Sequence, residues 1–493
     1  MSGRAGVVRA GPGDPMLIVV LIAFVVALTL IQPPIADNLL APSWITAVAA
    51  AAYLLLAAAL TAANTASAVR RLKEGAGVRR RGPFTALLSG LEQFWLIGGL
   101  AILIFAGYGQ WAMFDLNVAG TALVDLPLLS KLVVLAPFVV AVALCWLIDY
   151  PLHKAIRQRV YKSELAAGRP AKPPWTRGQY LAYNFRHHLL FVAAPVLLIL
   201  LVKDLFMLYA APVLEPALGA YADLVLLGAI LLVAGGVFLT APLMLVRIWH
   251  TQSMPDGPLR RELDQAMARM HLRCRDILIW KSDSAIANAG VMGLVGRFRY
   301  VLLSDLLLEN IDLGEIKAIF AHEAGHIVHH HIFYSALFAF ASVGLCGAAG
   351  DVIHSLAHAE WLAEVATLAL LALAWWLGFG FISRRFERQS DVVGAWLASR
   401  DFVHTPGDDL VTLDGALTFA RALERVAVLN GIAPGHRNWR HGSISDRIQY
   451  ILDLARHARS RQGIDRVVRR VKLMLWALAF VAVAIVSWQL MGA

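Results

Sequence analysis

The stretch "AHEAGHIVHHHIFYSALFAFASVG", Ala321 to Gly344, sets five histidines and a glutamate within ten residues and then becomes wholly apolar. His322 and His326 stand four residues apart, so on a helix both imidazoles project from one face. That spacing lets two histidines bind a single zinc while Glu323, beside the first, stays free to act as a general base. The same string also arises from polar residues that merely cap or line a helix. A third ligand decides between the two.

The histidines that follow do not supply it. His329 lies seven residues beyond His322. On a straight helix rising ~1.5 Å per residue that is about 10 Å, too far for metal–nitrogen bonds of about 2 Å to one ion. A metzincin would carry a histidine six residues after His326, where this chain has Ile332. A glutamate from a second helix is the other common solution. "SRRFERQSDVVGAWLASR", Ser383 to Arg400, offers Glu387 with Asp391 one turn later. A ligand followed by an acid that orients a ligating histidine suits this pair; an ordinary amphipathic helix with solvated charges suits it too. His329, His330 and His331 are left as interfacial polarity where the helix reaches a membrane.

These residues need a helix and a frame around them. Asp312 and Glu315 form a capping-box-like start, and Ile316, Ile319 and Phe320 recur at helical spacing. Of the 493 residues, 59% are hydrophobic and only 16% charged, the balance of a membrane protein. Apolar runs near the roughly 20 residues that cross a hydrocarbon core fall at Met16–Gln32, Ser43–Ala63, Phe84–Gly107, Leu126–Leu147, Leu189–Tyr209, Leu224–Val246, Ile332–Gly350, Val365–Ile382 and Val471–Met491. Lys and Arg concentrate after the second and fourth runs, at Arg70–Arg81 and Lys154–Arg186, whereas Pro33–Ser43 and Asp351–Glu364 hold none. The alternation predicts an inside amino terminus, nine crossings and an outside carboxyl terminus. The first run reads as a retained anchor, with a cleaved signal peptide as the competing reading. The net charge of +10 sits in blocks between apolar runs, so it reports topology and not nucleic-acid binding. Cys145, Cys274 and Cys346 are too scattered for a disulfide framework or a thiolate metal site.

"HEAGH", an apolar hairpin and then "SRRFERQSD" resemble the membrane-embedded gluzincin metalloendopeptidases, the family of the CAAX prenyl endopeptidases and the HtpX-type proteases. The resemblance implies His322, His326 and Glu387 as ligands of one Zn2+ per chain, Glu323 as the base, and Asp391 as the acid behind a ligand. "ANAGVMGLVGRFRYVLLSDLLL", Ala287 to Leu308, resembles the family's Asn-Ala…Gly strand beside the cleft. There Asn288 offers an amide to the backbone of an extended substrate, or is simply a turn residue, and "RYVLLS" has the composition of a strand. "WRHGSISDRIQYI", Trp439 to Ile451, resembles a late His-Pro-x-x-x-x-Arg-Ile element, with Gly442 in place of the proline and hence a looser turn. The resemblance implies His441 as a donor to a developing oxyanion if it faces the cleft, with Arg447 as a supporting cation; otherwise His441 is a surface histidine and Arg447 a structural salt-bridge partner. The resemblance covers Ala266–Ile451 and is weak over the first 240 residues, which lack the Glu-x-x-x-Gly-Phe-like segment of the CAAX enzymes.

The expected fold is mainly α: a multi-span helical bundle carrying an α+β zincin-like domain, with a small edge-strand sheet, on the cytoplasmic side. Residues 1–246 form an N-terminal region of about six transmembrane helices. Residues 247–470 form a metallopeptidase domain interrupted by a transmembrane hairpin at about 332–382, and 471–493 a final transmembrane helix. The expected activity is zinc-dependent endoproteolysis by a metal-activated water. The partners are a protein or peptide held in extended form and the lipid bilayer, with no nucleic acid. The short loops suggest a bacterial inner (plasma) membrane with the site facing the cytoplasm. A quality-control or regulatory protease is preferred over a CAAX-type prenyl-protein endopeptidase. The readings from other classes are an inactive membrane scaffold and a ligand-switched sensor, the latter disfavoured by the short outside loops.

Overall fold

The computed structural model describes residues 43–492 apart from 74–82, 110, 113–115, 119, 123–124, 167–172, 283–285, 358–359, 400–409, 431, 433–434, 436–437 and 458–461. The expected span at Met16–Gln32 lies outside the described residues. The chain divides into two compact units, Met1–His250 and Thr251–Ala493.

In the first unit, long apolar runs fold as helices because a helix satisfies its own backbone groups without water. These are α1 (Ser43–Lys73), α2 (Pro83–Leu103), α3 (Leu129–Ala166), α4 (Arg177–Asn184), α5 (Phe191–Tyr209), α6 (Ala211–Leu218) and α7 (Ala222–Ile248). A short ribbon of β1 (Asn117–Val118) and β2 (Thr121–Ala122) lies between α2 and α3. Alanine-rich α1 packs on α2 and α3 around Tyr53, Leu96, Leu100, Leu135 and Phe138. Glu92 is buried among them and accepts from Thr61 Oγ1 at 2.9 Å and from Asn64 Nδ2 at 3.1 Å, as a carboxylate removed from water requires.

The second unit opens with β3 (Thr251–Ser253), α8 (Pro258–Arg269), β4 (Asp276–Trp280), β5 (Ala289–Met292), β6 (Tyr300–Ser304) and α9 (Asp305–Asn310). Its four strands run in the order β3-β4-β6-β5, with β4 and β6 parallel and both edges antiparallel. The "YVLLS" run is β6, buried at every residue, as an inner strand covered on both faces should be. Next come α10 (Leu313–Val328), α11 (His331–Ala357), α12 (Glu360–Leu373) and α13 (Gly380–Ser399). The unit closes with α14 (Leu413–Leu429), α15 (Ile444–Arg456) and α16 (Gln462–Gly492). Helices α11 and α12 pack on each other as a hairpin that returns the chain from α10 to α13.

Six helices among the described residues are long and apolar enough to cross a membrane: Trp44–Leu72, Leu129–Arg159, Arg177–Tyr209, Gly228–Ile248, His331–Leu356 and Gln462–Gln489. The protein is therefore a mainly α membrane protein with a small mixed sheet. The expected runs at Phe84–Gly107 and Val365–Ile382 are helical too, but each passes into a wider π turn, Ile104–Tyr108 or Ala374–Phe379, and neither is among the six.

Two glycines let α10 and α13 touch. A Cβ on Gly325 would come within 3.1 Å of Ser390 Cα, and one on Gly394 within 2.9 Å of the Ala318 carbonyl oxygen. Without side chains there, the two backbones meet, and the residues between the crossings face each other. The start of α10 differs from the capping box expected of it. Asp312 has the N-cap conformation, but its side chain makes no capping hydrogen bond. It pairs with Arg425 of α14 at 2.8 Å, and the same guanidinium lies 3.3 Å from Glu315. A tertiary ion pair has displaced the local Asp312 cap.

Candidate active site

His322 and His326 project from α10 towards Glu387 on α13. Their Nε2 atoms stand 3.6 and 3.7 Å from Glu387 Oε2 and Oε1. One donor atom from each of the three residues lies within 4.8 Å of the others. Two imidazoles and a carboxylate converging in this way form the donor set of a three-ligand zinc site that keeps one position open. The residues present fit that ion.

A second layer holds these groups in place. His322 Nδ1 lies 2.9 Å from Asp391 Oδ1, leaving Nε2 to face Glu387. Asp391 is fully buried and is gripped by Arg447 of α15, whose Nε donates to Oδ2 at 2.9 Å and Nη2 to Oδ1 at 2.5 Å. Nη2 also stands 3.3 Å from Glu387 Oε2. His441 places Nδ1 2.8 Å from Glu387 Oε1, while its Nε2 is buried and has no hydrogen-bond partner among the described residues. The turn that presents His441 is closed, not loose. Asn438 and Gly442 exchange backbone hydrogen bonds of 3.1 and 2.8 Å, and Gly442 has φ +75°, which the proline ring cannot adopt.

The charges are distributed as a metal site needs. Burial pushes the Glu387 carboxyl up, but His441, Arg447 and His322 together hold it well below the usual range. Burial likewise opposes the Asp391 carboxylate, and Arg447 and His322 outweigh it to give a lowered value. Burial lowers His326 to about 3, which leaves a neutral ring able to ligate. Burial also acts to lower His322, but Asp391 and then Glu387 leave it above its ordinary value. Glu323 is pushed up to about 7, chiefly by burial, a range suited to taking and returning a proton near neutral pH.

Asn288 lies one residue before β5, where its N–H donates to Ser304 Oγ and its carbonyl accepts from the Ser304 N–H, both at 2.9 Å. It therefore continues beside β6 just ahead of the paired register, through one main-chain and one side-chain bond, and is not a turn residue. The antiparallel alternation then directs the backbone groups of Ala289 and Val291 towards the open edge. Strand β5 lies against α10.

His331 is the residue that sequence reasoning misplaced. It is only 2% exposed, and its Nδ1 is 3.0 Å from His326 Nδ1. The expectation of interfacial polarity assumed an unbroken helix, but α10 stops at Val328 and His330 takes φ +57°. The signal in the sequence was weak: three histidines in a row, with nothing to tell the inner one from the outer two.

Residues 253–420 match Peptidase family M48. The matched stretch holds the "HEAGH" helix, Glu387 and Asp391 and ends before His441 and Arg447. The chain is similar to the crystal structure of S. mikatae Ste24p, at 15% identity over 82% of this chain and 98% of that one, with a TM-score of 0.37. No curated protein sequence matches it.

Proposed function

We propose that this chain, whose residues 253–420 match Peptidase family M48, uses His322, His326 and Glu387 to hold one zinc ion and Glu323 as the base of an integral-membrane endopeptidase. The observation that carries this is the convergence of three donor atoms within 4.8 Å at one face of α10 and α13. When bound, zinc supplies Lewis-acid polarisation of a peptide carbonyl and a water of lowered pKa.

The chain's own residues do the rest. Glu323 takes the proton of the attacking water and returns it to the leaving amine. Asp391 fixes the His322 ring, and Arg447 keeps both buried carboxylates ionised. His441 Nδ1 donates to Glu387, so its Nε2 is the atom that would face an oxyanion, and donation from it needs the doubly protonated ring. An extended peptide pairs with the outward groups of Ala289 and Val291, with the Asn288 carboxamide as an added donor.

Recognition through main-chain groups makes few side-chain demands, which favours a quality-control or regulatory protease acting on unfolded segments. The distribution of Lys and Arg between apolar runs supports a bacterial inner-membrane protein whose site faces the cytoplasm. The test is hydrolysis of a casein-like substrate and a membrane-protein substrate by wild type and Glu323→Gln, each with its zinc content measured. A loss of about 10²–10⁴-fold at unchanged zinc is expected. Equal turnover by both forms would remove Glu323 as the base. Capture of prenylated proteins alone by the inactive variant would replace quality control with CAAX-type processing.

A further inference from the structure

We propose that His331, Gln389 and Asp465 form a buried chain of hydrogen bonds that orients His326, so that the C-terminal helix α16 takes part in holding the metal. The inference rests on His326 being a ligand. On an unbroken helix His331 would point about 140° away from His326. The break at His329 and His330 turns it back, and Lys472 of α16 supports the break by donating to the His329 carbonyl at 2.6 Å. That carbonyl belongs to the end of a helix, where no intrahelical donor is available.

The contacts admit one consistent direction of donation. His326 turns Nε2 towards Glu387, so its proton belongs on Nδ1, which donates to His331 Nδ1 at 3.0 Å. His331 must then carry its own proton on Nε2, where Gln389 Oε1 waits at 2.9 Å. The Gln389 amide nitrogen donates in turn to Asp465 Oδ1 at 2.5 Å, in the first turn of α16. Each donor meets an acceptor, and the series ends on a carboxylate. The His331 ring is held flat on Phe386, with centroids 4.1 Å apart and planes 5° from parallel. Ser390 Oγ lies 3.5 Å from His331 Nδ1, and the His329 ring is stacked on His331 with centroids 5.7 Å apart. A ligating imidazole whose second nitrogen is fixed in this way has one tautomer and one ring orientation. His331 is thus a positioning residue acting through His326.

The experiment uses the full-length protein in detergent, with zinc affinity measured by chelator competition and folding followed by thermal unfolding. His331→Phe keeps the ring stack and removes the acceptor; it should weaken zinc binding about 10–100-fold. His331→Asn places Oδ1 where Nδ1 stood and should return most of the affinity. Gln389→Met and Asp465→Asn test the outer links, should weaken zinc binding by less, and decide the matter if His331→Phe does not fold. Wild-type zinc affinity in a folded His331→Phe, or in both outer variants, overturns the proposal and leaves the metal site standing. Failure of the wild type to bind zinc at all would instead overturn the metallopeptidase reading beneath it.

Discussion

Arg447 holds Asp391 by two parallel hydrogen bonds, of 2.9 and 2.5 Å, and with the same guanidinium reaches within 3.3 Å of Glu387. All three side chains are buried. One cation from α15 thus bridges two carboxylates on α13 and offsets part of their repulsion across a single helical turn. Removing one partner of a buried pair strands the other, at a cost of about 3–5 kcal/mol. Arg447→Met should lose stability of that order in a detergent unfolding titration. Arg447→Met combined with Asp391→Asn should lose less than Arg447→Met alone, because no buried Asp391 charge is then left without its cation, and Glu387 keeps His441 at 2.8 Å.

Metal retention separates ligand from base. Glu387→Ala removes one of three donors and should release zinc on dialysis, measured by elemental analysis, with activity falling in parallel. Glu323→Gln should keep its zinc while losing activity. Retention of zinc by a folded Glu387→Ala would argue for a different third ligand.

Burial, assisted by Glu387 and opposed by His322 and Arg447, pushes Glu323 up to about 7, whereas an unfolded chain titrates its glutamates near ~4.3. The folded, metal-free protein therefore binds this proton more tightly than the unfolded chain. The resulting stability is complete below about pH 4.3 and is lost as pH rises through about 7. The unfolding midpoint of the metal-free wild type should accordingly drop relative to Glu323→Gln across that window. Parallel curves for the two proteins would contradict this.

The helix crossing makes a packing prediction. A Cβ at Gly394 would meet Ala318 O at 2.9 Å and Phe419 Cε2 at 2.8 Å, and the carbonyl cannot move aside as a flexible side chain could. Gly394→Ala should cost roughly 1–3 kcal/mol and loosen zinc binding by parting α10 from α13. Gly347→Ala, where a Cβ meets nothing within 4 Å, should change little. Both are read by thermal unfolding with and without zinc.

The residues that converge on the site were legible in the sequence for a local reason. His322 and His326 share a helical face through spacing alone, and Glu387 and Asp391 do the same on α13. Long-range contacts were not legible. The turn at His330 depends on Lys472, 143 residues beyond His329. Asp312 gave up its capping role to Arg425, 113 residues away. The apolar runs located most helices, while the π turns at Ile104–Tyr108 and Ala374–Phe379 carry no hydropathy signature and escaped notice.

Strand β5 is four residues long, includes Gly290, and forms one edge of the sheet. Long, flat, unpaired edges invite another copy of the same chain to add a strand, and short ones do not. An opening of this length can register a few residues of a passing polypeptide yet offers too little ladder to nucleate sheet growth. If the proposed function holds, this edge, unpaired among the described residues, can receive an extended substrate without becoming a seam for self-aggregation.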